Sequence, residues 1–497
     1  MAMSSFPEQS FDRFPAGRPL LSDGVHALGR DAVEERIAQL RTALALRVLP
    51  GAPVAILADN SPEWLAIDLA TQRAGLTLVP LPLFFTPAQW QHVIQSSGVQ
   101  ALFCADAAQG AALGFTEPID CGGPLLLCQR PAARSTSYPA ELEGVQKVTF
   151  TSGTTAAPKG VCLDSAQQWE VAHALHQGLG ALGIERHLCL LPFAVLLENI
   201  AGPYTALLSG ATTICPPLAE VGLSGASGFD PQRCLDAIAR YQANSVILLP
   251  QMLAALVAAA APGDPRLASL RFVAVGGART PARILAAARA RGIPVFEGYG
   301  LSECCSVVAL NLPGALREGS VGRPLAHRAV RIAGDGEIEV RCGAAHYLGQ
   351  PRSEGEWLAT GDLGRLDADG YLHIDGRKKD ILITGYGRNV SPEWPESALL
   401  GTGLVAQALV VGEGQPWLGA LLVPARADIT PAQLQEAVDL ANRELPDYAQ
   451  VRRWAPAAPF TPANGLATAN GRPRRPLIQQ QYADRIATLF DQTEHAS

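Results

Sequence analysis

Short apolar runs alternate with amphipathic segments near the start of this chain, and the alternation limits the folds that are open to it. Apolar residues recur at helical spacing from Asp31 to Leu46, and Val54–Leu57 then has the length and composition of a buried strand. Ser61 and Pro62 are placed as the cap and the first residue of a second helix. Strands and helices that alternate in this way predict a layered α/β domain whose sheets are mostly parallel.

The same alternation extends along the chain. Residues 86–96 and 165–182 have helical periodicity, and Ser245–Ala261 is predicted to be a buried strand followed by a helix. Residues 105–144 are rich in Ala, Gly and Pro and are predicted to form a surface connection. Further strands are predicted at Leu76–Pro80, Ala101–Phe103, Cys189–Leu191, Leu270–Val275 and Val295–Phe296.

A loop rich in hydroxyl groups follows the strand predicted at Val148–Phe150. Its sequence, TSGTTAAPKG, runs from Thr151 to Gly160. Backbone N–H groups and hydroxyls of such a loop can donate to phosphate oxygens, glycine permits close approach, and lysine neutralises charge. A polar turn is the simpler alternative, and the P-loop pattern does not apply because Gly160, not a hydroxyl residue, follows Lys159. A lysine here is notable because only four of the 39 basic residues are lysines: Lys147, Lys159, Lys378 and Lys379.

Composition excludes several classes of protein. A chain of 497 residues that is 48% apolar is long enough for more than one globular domain, and a net charge of −7 provides no basic surface for nucleic acid. The ten cysteines have neither C-x-x-C nor His-paired metal spacing, which favours a reduced cytoplasmic protein with mostly buried thiols. We expect no signal peptide, and no transmembrane segment, because the most apolar window is short and interrupted by Pro250.

The loop from Thr151 to Gly160 resembles the TSGTTGxPKG signature of the adenylate-forming enzymes, which include acyl-CoA synthetases, firefly luciferase and peptide-synthetase adenylation domains. Ala156 stands where that signature has glycine. Gly276–Ala278, Tyr299–Glu303 and Thr360–Pro392 resemble later segments of the same superfamily, in the same order. The resemblance covers residues 50–478, and it is nearest to the long-chain fatty acyl-CoA ligases.

This resemblance implies an ATP site with Mg²⁺. Lys159 is expected to act on the phosphates, Glu303 to bind Mg²⁺, and Tyr299 to stack on adenine. Asp362 and Arg377 are expected to hold the ribose hydroxyls, which suits a charged acceptor and a planar donor meeting a diol. The remaining nucleotide-binding residues that the resemblance implies are Thr151, Ser152, Gly153, Thr154, Thr155, Gly276, Gly277, Ala278, Gly300, Ser302 and Lys379.

The resemblance also implies two domains with a hinge at Lys379. Residues 1–379 would form the ATP- and acyl-binding domain, and residues 380–497 a small mobile α+β domain. Near the C-terminus, Arg472 stands where the family's T-x-x-G-K motif has the lysine that binds acyl carboxylate and phosphate in the first step. Arginine supplies a positive bidentate donor, so we expect retained activity, although the two side chains are not equivalent at a tight site. Loss of activity therefore stays as the alternative.

Pro192–Glu198 resembles the family segment PLAHVFE, with Val195 in place of the histidine. An apolar wall there suits an apolar acyl chain, and core packing explains the same residues nearly as well. Amino-acid-activating relatives carry an aspartate at the place of Phe193, and its absence argues against an amino-acid substrate.

The hypothesis is an ATP-dependent ligase that converts an apolar carboxylic acid, with a fatty acid as the first expectation, to acyl-AMP. The acyl group then passes to a thiol, for which coenzyme A is expected. Loading of an acyl-carrier protein is one alternative, weakened because no extra segment is inserted between Gly322 and Gly376. A degenerate, non-catalytic binding protein is another, suggested by Ala156, Val195 and Arg472.

Overall fold

The structure is a computed structural model that describes residues 11, 14, 17–130, 139–151, 158–225, 228–343, 346–350, 355–386, 388–468 and 471–490. Within these residues the chain forms sheets of nine, eight, four and three strands and two small two-stranded sheets. Alternating strands and helices build the two largest sheets, as the sequence pattern predicts. A large N-terminal α/β part is thus followed by a small C-terminal α+β part.

The two largest sheets are parallel at their centres and antiparallel at their edges. In spatial order, the nine-stranded sheet contains Arg323–Pro324, Ser306–Leu310, Val295–Leu301, Phe272–Val275, Ser245–Leu248, Arg186–Leu188, Thr212–Ile214, Leu21–Ser22 and Ala27–Leu28. The eight-stranded sheet contains His346–Tyr347, Lys159–Leu163, Lys147–Thr151, Thr77–Pro80, Pro53–Leu57, Ala101–Cys104, Leu126–Gln129 and Glu117–Asp120. The strands that alternate with helices are the parallel ones, as predicted.

The smaller sheets are antiparallel or mixed. The four-stranded sheet contains Ala329–Ile332, Glu337–Arg341, Trp357–Leu366 and Leu372–Arg377, and the three-stranded sheet contains Val405–Val411, Leu418–Pro424 and Val451–Pro456. Leu223–Ser224 pairs with Gly228–Phe229, and Leu382–Ile383 pairs with Asn389–Val390. The α-helices are Arg30–Arg47, Pro62–Arg73, Pro87–Ser97, Ala107–Ala112, Ser165–Leu179, Leu196–Asn199, Thr205–Ser209, Pro231–Tyr241, Pro250–Ala259, Ala282–Ala290, Glu393–Leu400, Pro431–Asn442, Arg475–Gln481 and Ala483–Thr488.

The two faces of the nine-stranded sheet have different neighbours. Side chains of successive strand residues point to opposite faces, so Val246 and Leu248 share one face while Ser245 lies on the other. The face with Val246 packs on the helices Pro231–Tyr241, Pro250–Ala259 and Ala282–Ala290 in one apolar core. The face with Ser245 also carries His187 and Phe272, which pair with Ser245 across parallel strands. That second face is turned towards the helix Ser165–Leu179 and the helical segment that follows Leu196.

The structure corrects two sequence predictions. Residues 105–144 are not only a surface connection: they contain a short helix and two strands that extend the eight-stranded sheet, with Leu127 and Cys128 buried. The strand predicted at Cys189–Leu191 lies three residues earlier, at Arg186–Leu188. The last hydrogen bond to the neighbouring strand comes from the N–H of Cys189, because the N–H groups of Leu190 and Leu191 donate to the Glu198 carboxylate.

The C-terminal part has cores of its own. Two apolar clusters, one against each face of the three-stranded sheet, consist of residues between Leu382 and Phe490. Lys379 lies before them, in the 3₁₀ turn Lys378–Asp380. The boundary at 379/380 stays a prediction.

Burial and helix length bear on two further predictions. All ten cysteines are free, and each is buried except the half-buried Cys121, which confirms the prediction of mostly buried thiols. In the described part of the chain, no helix is both long enough and apolar enough to cross a membrane.

Candidate active site

A large cleft runs along the carboxyl ends of the central strands of the nine-stranded sheet. Its volume is about 2150 Å³, which exceeds the roughly 300–1,000 Å³ of a typical small-molecule pocket and leaves room for a nucleotide and a second reactant. Most of the sequence-predicted site residues line it: Thr151, Lys159, Gly276, Gly277, Ala278, Tyr299, Gly300, Ser302, Glu303, Asp362, Arg377, Lys379 and Arg472. The predicted loop residues Ser152, Gly153, Thr154 and Thr155 lie outside the described residues.

One cluster in the cleft joins Tyr299, Asp362 and Arg377. Asp362 and Arg377 face each other across the antiparallel strands Trp357–Leu366 and Leu372–Arg377, and Arg377 Nε lies 2.8 Å from Asp362 Oδ1. The Tyr299 hydroxyl donates to Asp362 Oδ2 over 2.6 Å. Burial raises the pKa of Asp362, and the Arg377 guanidinium opposes that rise. The cluster offers an anionic acceptor, a planar cation and an aromatic ring within one small volume.

A second cluster links Glu303, Tyr347 and Lys159. Glu303 is in the 3₁₀ turn Ser302–Cys304 and is half-buried, and its Oε1 accepts a hydrogen bond from the Tyr347 hydroxyl. Lys159 Nζ lies 5.9 Å from the centre of the Tyr347 ring. Burial and Glu303 raise the pKa of Tyr347, so its hydroxyl stays a donor. One tyrosine therefore contacts both the predicted metal carboxylate and the predicted phosphate lysine.

The donor set of this second cluster fits Mg²⁺. This ion takes oxygen ligands and is usually held by one or two carboxylates together with phosphate oxygens and water. Among the described residues, Tyr347 occupies only Oε1 of Glu303, which leaves Oε2 for a cation in the cleft. Glu303 is thus the residue that would hold the ion, and Lys159 would lie on the phosphate side of it.

Arg472 crosses from the C-terminal part into the cleft. Its Nη2 donates to the carbonyl of Gly277 over 2.6 Å, directly after the strand Phe272–Val275. Gly277 has φ +85°, a conformation that favours glycine. Gly300 is also required, because a Cβ there would lie 1.8 Å from the carbonyl oxygen of Ser306. Gly277 lets the backbone turn beside the arginine, and Gly300 lets its own segment approach Ser306 closely.

The cleft continues inward as a space that we call the inner chamber. Its floor is the second face of the nine-stranded sheet, with His187, Ser245, Phe272 and Ala274 among the lining residues. Its roof comes from the helix Ser165–Leu179 and the helical segment after Leu196, and includes Leu175, Leu179, Gly202 and Ala206. Within that segment Ile200–Tyr204 forms a π-helical turn around Pro203, which has no N–H to continue an α-helical ladder. The chamber is mostly apolar and opens towards Gly276 and Gly277.

Polar groups meet at the far end of the inner chamber. His187 Nε2 lies 2.9 Å from Glu198 Oε1, and His187 Nδ1 lies 2.9 Å from Ser245 Oγ. His187, Cys189 and Glu198 are also close enough to be considered as metal ligands. However, Glu198 Oε2 already accepts two backbone N–H groups, and burial together with Glu198 raises the pKa of the Cys189 thiol. The cluster is therefore a buried hydrogen-bond network and not a metal centre.

Phe193 does not line the chamber, although the sequence analysis placed it in the acyl wall. Its ring packs against Trp64 with centroids 5.3 Å apart, and its N–H donates to Asn60. The cleft lining passes from Pro192 directly to Ala194 and Val195. Core packing thus accounts for Phe193, whereas its neighbours Pro192, Ala194 and Val195 line the cleft.

Sequence reasoning missed Tyr347 and the His187–Ser245 pair. Tyr347 lies in a two-residue edge strand, His346–Tyr347, and becomes visible only when that strand pairs with Lys159–Leu163. His187 and Ser245 are 58 residues apart and meet across neighbouring parallel strands. Local sequence pattern carries no signal for either contact.

Two family models match nearly the whole chain. The model of the AMP-binding enzyme matches residues 7–361, and that of the AMP-binding enzyme C-terminal domain matches residues 379–494. The chain belongs to the AMP-binding enzyme family. The predicted resemblance to the adenylate-forming enzymes is thereby confirmed.

Individual relatives of this AMP-binding enzyme agree with that assignment. A long-chain-fatty-acid–CoA ligase of Mycobacterium bovis is 28% identical, with 90% of this chain and 89% of the relative covered. A feruloyl-CoA synthase of an Amycolatopsis species is 30% identical, with 81% and 84% covered. Among solved structures, an anthranilate CoA ligase in complex with anthranoyl-AMP superimposes with a TM-score of 0.77 at 22% identity, covering 95% of each chain, and it supports the fold. The protein is an AMP-forming acid–thiol ligase.

Proposed function

We propose that this enzyme activates an apolar carboxylic acid with ATP and Mg²⁺ to give acyl-AMP, and then transfers the acyl group to coenzyme A. One observation carries the proposal: the apolar inner chamber opens at Gly276 and Gly277, where Arg472 and the nucleotide-side residues line the same cleft. An acid in the chamber would bring its carboxylate to that opening. There it would meet a guanidinium and the phosphates of ATP.

In the first step, a carboxylate oxygen attacks the α-phosphorus of ATP. The bond from that phosphorus to the bridging oxygen breaks, and pyrophosphate leaves. Lys159 and Arg472 supply positive charge to the phosphates and the carboxylate, which lowers the barrier by stabilising charge in the transition state. Mg²⁺ held by Glu303 would neutralise further phosphate charge when bound. Asp362 and Arg377 orient the ribose, with Tyr299 beside the base.

In the second step, the thiol sulfur attacks the acyl carbon, AMP leaves, and the thiol proton is released. We infer that residues 380–497 move about Lys379 between the steps. Lys379 is exposed at the junction and lines the cleft, so a change in its backbone angles would withdraw Arg472 from Gly277. Such hinge motions typically absorb the change in a few residues at the ends of elements.

The lining of the inner chamber supports an apolar acid, either alkyl or aryl. The long-chain-fatty-acid and feruloyl relatives act, by their names, on one acid of each type. Phe193, at the position where amino-acid-activating relatives carry an aspartate, is buried against Trp64 and offers no acceptor to an α-ammonium. An α-ammonium would therefore be buried without a partner, which is costly.

ATP–pyrophosphate exchange with a panel of acids tests the proposal. Fatty and aryl acids should stimulate exchange and, with coenzyme A added, should yield the thioester and AMP. Free amino acids should not stimulate exchange. Robust exchange with a standard amino acid, or no exchange with any acid of the panel, would reject the proposed substrate class.

A further inference from the structure

The far end of the inner chamber contains a serine that is held in one orientation by two buried residues. Ser245 and His187 pair directly across parallel strands, and both line the chamber. Glu198 accepts from the N–H groups of Leu190 and Leu191 at Oε2 and is 2.9 Å from His187 Nε2 at Oε1. All three side chains are less than one-tenth exposed. This is a built polar site in a space whose lining is mostly apolar.

The hydrogen-bond pattern decides which atom is left for a ligand. Because Glu198 acts as an acceptor towards two N–H groups, His187 donates its Nε2 proton to Glu198. In the tautomer that carries its proton on Nε2, Nδ1 is the acceptor, so Ser245 donates its hydroxyl proton there. Ser245 Oγ keeps its lone pairs, which can accept a hydrogen bond from a group in the chamber.

Gly202 shows that the backbone roof closes tightly over the same network. A Cβ at this position would lie 2.4 Å from His187 Nε2 and 2.6 Å from Glu198 Oε1. The π-helical turn can therefore cover the pair only with glycine at this point. The imidazole and the carboxylate are shielded by the roof, and Ser245 is the member with an oxygen left to bind a ligand.

The position of Ser245 in its strand sets the distance between its hydroxyl and the cleft edge. It begins the strand Ser245–Leu248, whose other end is at the cleft edge beside Gly276. Three residues of parallel strand span about 10 Å. A group bound by Ser245 is therefore about that far below the edge where the carboxylate of the acid would react.

We propose that Ser245, oriented by His187 and Glu198, binds an O–H or N–H group at the end of the acid that is distant from the carboxylate. Ser245 would be a specificity-determining residue, and the acids it selects would be apolar molecules with one distal hydrogen-bond donor. This inference rests on the proposed function, because it takes the inner chamber as the acyl site. The shape of the chamber would limit the length of the acid, and Ser245 would select acids with a hydrogen-bond donor at the distal end.

Pairs of acids that differ only in a distal hydroxyl test the inference. In ATP–pyrophosphate exchange, the wild-type enzyme should have a kcat/KM about tenfold higher for the hydroxylated acid, as expected for one net hydrogen bond, at the chain length that reaches Ser245. Ser245→Ala should abolish the preference, so that the ratio of the two kcat/KM values falls to about one. Activity with the unsubstituted acid also reports that the variant is folded.

Thr213→Val is the matched control. Thr213 pairs with His187 on its other side, shares its sheet face and is fully buried, but it is not among the described lining residues of the cleft. This variant should keep the tenfold preference. Calorimetric binding of the two corresponding acyl-sulfamoyl-adenosine analogues should give the same ratio without turnover.

The possible results distinguish the role of Ser245 from the ligase function. Equal kcat/KM for both acids of every pair in the wild type, or a preference that survives in Ser245→Ala, would overturn the role of Ser245 while leaving the ligase function intact. Loss of the preference in Thr213→Val as well would show a general packing effect and would also overturn it. If no acid of either series supports exchange, the proposed function fails, and the role of Ser245 fails with it.

Discussion

The cleft has two ends: the proposed nucleotide end, around Glu303, Asp362 and Arg472, and the chamber end, around Ser245 and Ala274. At the nucleotide end, side chains come from turns and strand ends, such as Glu303 in a 3₁₀ turn and Arg472 beside Gly277. At the chamber end, they come from regular strands and helices, such as Ser245 and Ala274. Turns need glycine and hydroxyl residues in a fixed order, whereas a strand interior accepts many apolar residues. The first end is therefore specified locally, and the second is specified by packing.

The two ends also differ in charge. The nucleotide end pairs charges within the cleft, as in Asp362 with Arg377, and burial raises the pKa of both Asp362 and Glu297. At the chamber end, the buried carboxylate of Glu198 is engaged by His187 and two backbone N–H groups. Changes at the first end should affect every acid alike, whereas changes at the second should affect acids according to their size and shape.

The largest expected effect is loss of the charges on the phosphates. Lys159→Ala and Glu303→Ala should each lower acyl-AMP formation about 10²–10³-fold for all acids, because removal of one contact to transition-state charge costs roughly 3–4 kcal/mol. The measurement is ATP–pyrophosphate exchange, with thermal unfolding to verify folding. Lys378→Ala is the control, since Lys378 pairs with Asp335 and Glu337 on the surface. Near wild-type exchange in Lys159→Ala or Glu303→Ala would contradict the assignment of that residue.

The next prediction is that Arg472 and Lys379 act in different steps of the reaction. Arg472→Ala should slow adenylation by about 10²-fold, as loss of a charged contact of this kind does, yet leave thioester formation from supplied acyl-AMP nearly unchanged. Arg472→Lys should restore much of the first step, because a lysine keeps the positive charge. Lys379→Pro should leave adenylation nearly unchanged and slow thioester formation from supplied acyl-AMP, because proline restricts the backbone at the junction. Unchanged adenylation in Arg472→Ala would make the arginine a bystander.

Filling the inner chamber should affect only one end of the cleft. Ala274→Phe adds a ring to the chamber floor, and overpacking of this kind costs about 1–3 kcal/mol. We expect kcat/KM for long or bulky acids to fall by at least tenfold, with a smaller change for short acids and none in the affinity for ATP. A uniform loss over all acids would show that the chamber does not hold the acyl group.

A smaller effect is expected at Tyr347. Tyr347→Phe removes the hydroxyl that holds Glu303, and a hydrogen bond to a charged group contributes about 1.5 kcal/mol or more. The Mg²⁺ concentration for half-maximal exchange should rise about tenfold, and Mn²⁺ binding measured by electron paramagnetic resonance should weaken in parallel. The exposed Tyr386 provides the control variant Tyr386→Phe. If the Mg²⁺ dependence stays the same, Tyr347 has no role in positioning Glu303.

The last prediction concerns stability and not catalysis. It involves Glu396, on the C-terminal side of the cleft. Burial raises its pKa from 4.5 to about 7, despite a 2.7 Å hydrogen bond from Arg475. Since the folded state binds this proton more tightly than the unfolded state, the contribution of Glu396 to stability should fall as pH rises from about 4.5 to 7. The effect is of the order of 1 kcal/mol for each pKa unit. Urea unfolding of Glu396→Gln between pH 4.5 and 7.5 should show a flatter profile than the wild type, and parallel profiles would refute this origin.

The sequence alone determined the fold class, and it predicted the residues of the proposed nucleotide end, most of which line one cleft. Alternating periodicity predicted the central strands and the helices Arg30–Arg47 and Pro250–Ala259 because burial of one face imposes a repeat that the sequence must carry. The ordered glycines, hydroxyls and charges around Tyr299 and Asp362 were recognisable because tight turns and phosphate contacts tolerate few residue types. The prediction of a surface connection at residues 105–144 was incomplete, because the edge strands there are stabilised by pairing with another strand and not by local pattern.

Only the tertiary structure decided what lies at the other end of the cleft. Phe193 had the right composition for a wall residue, but its side chain direction depends on Trp64, more than a hundred residues away. Tyr347 reaches Glu303, and Ser245 reaches His187, through strand pairing between remote segments. An apolar or singly polar residue fits many environments, so its neighbours are known only when the whole chain has packed.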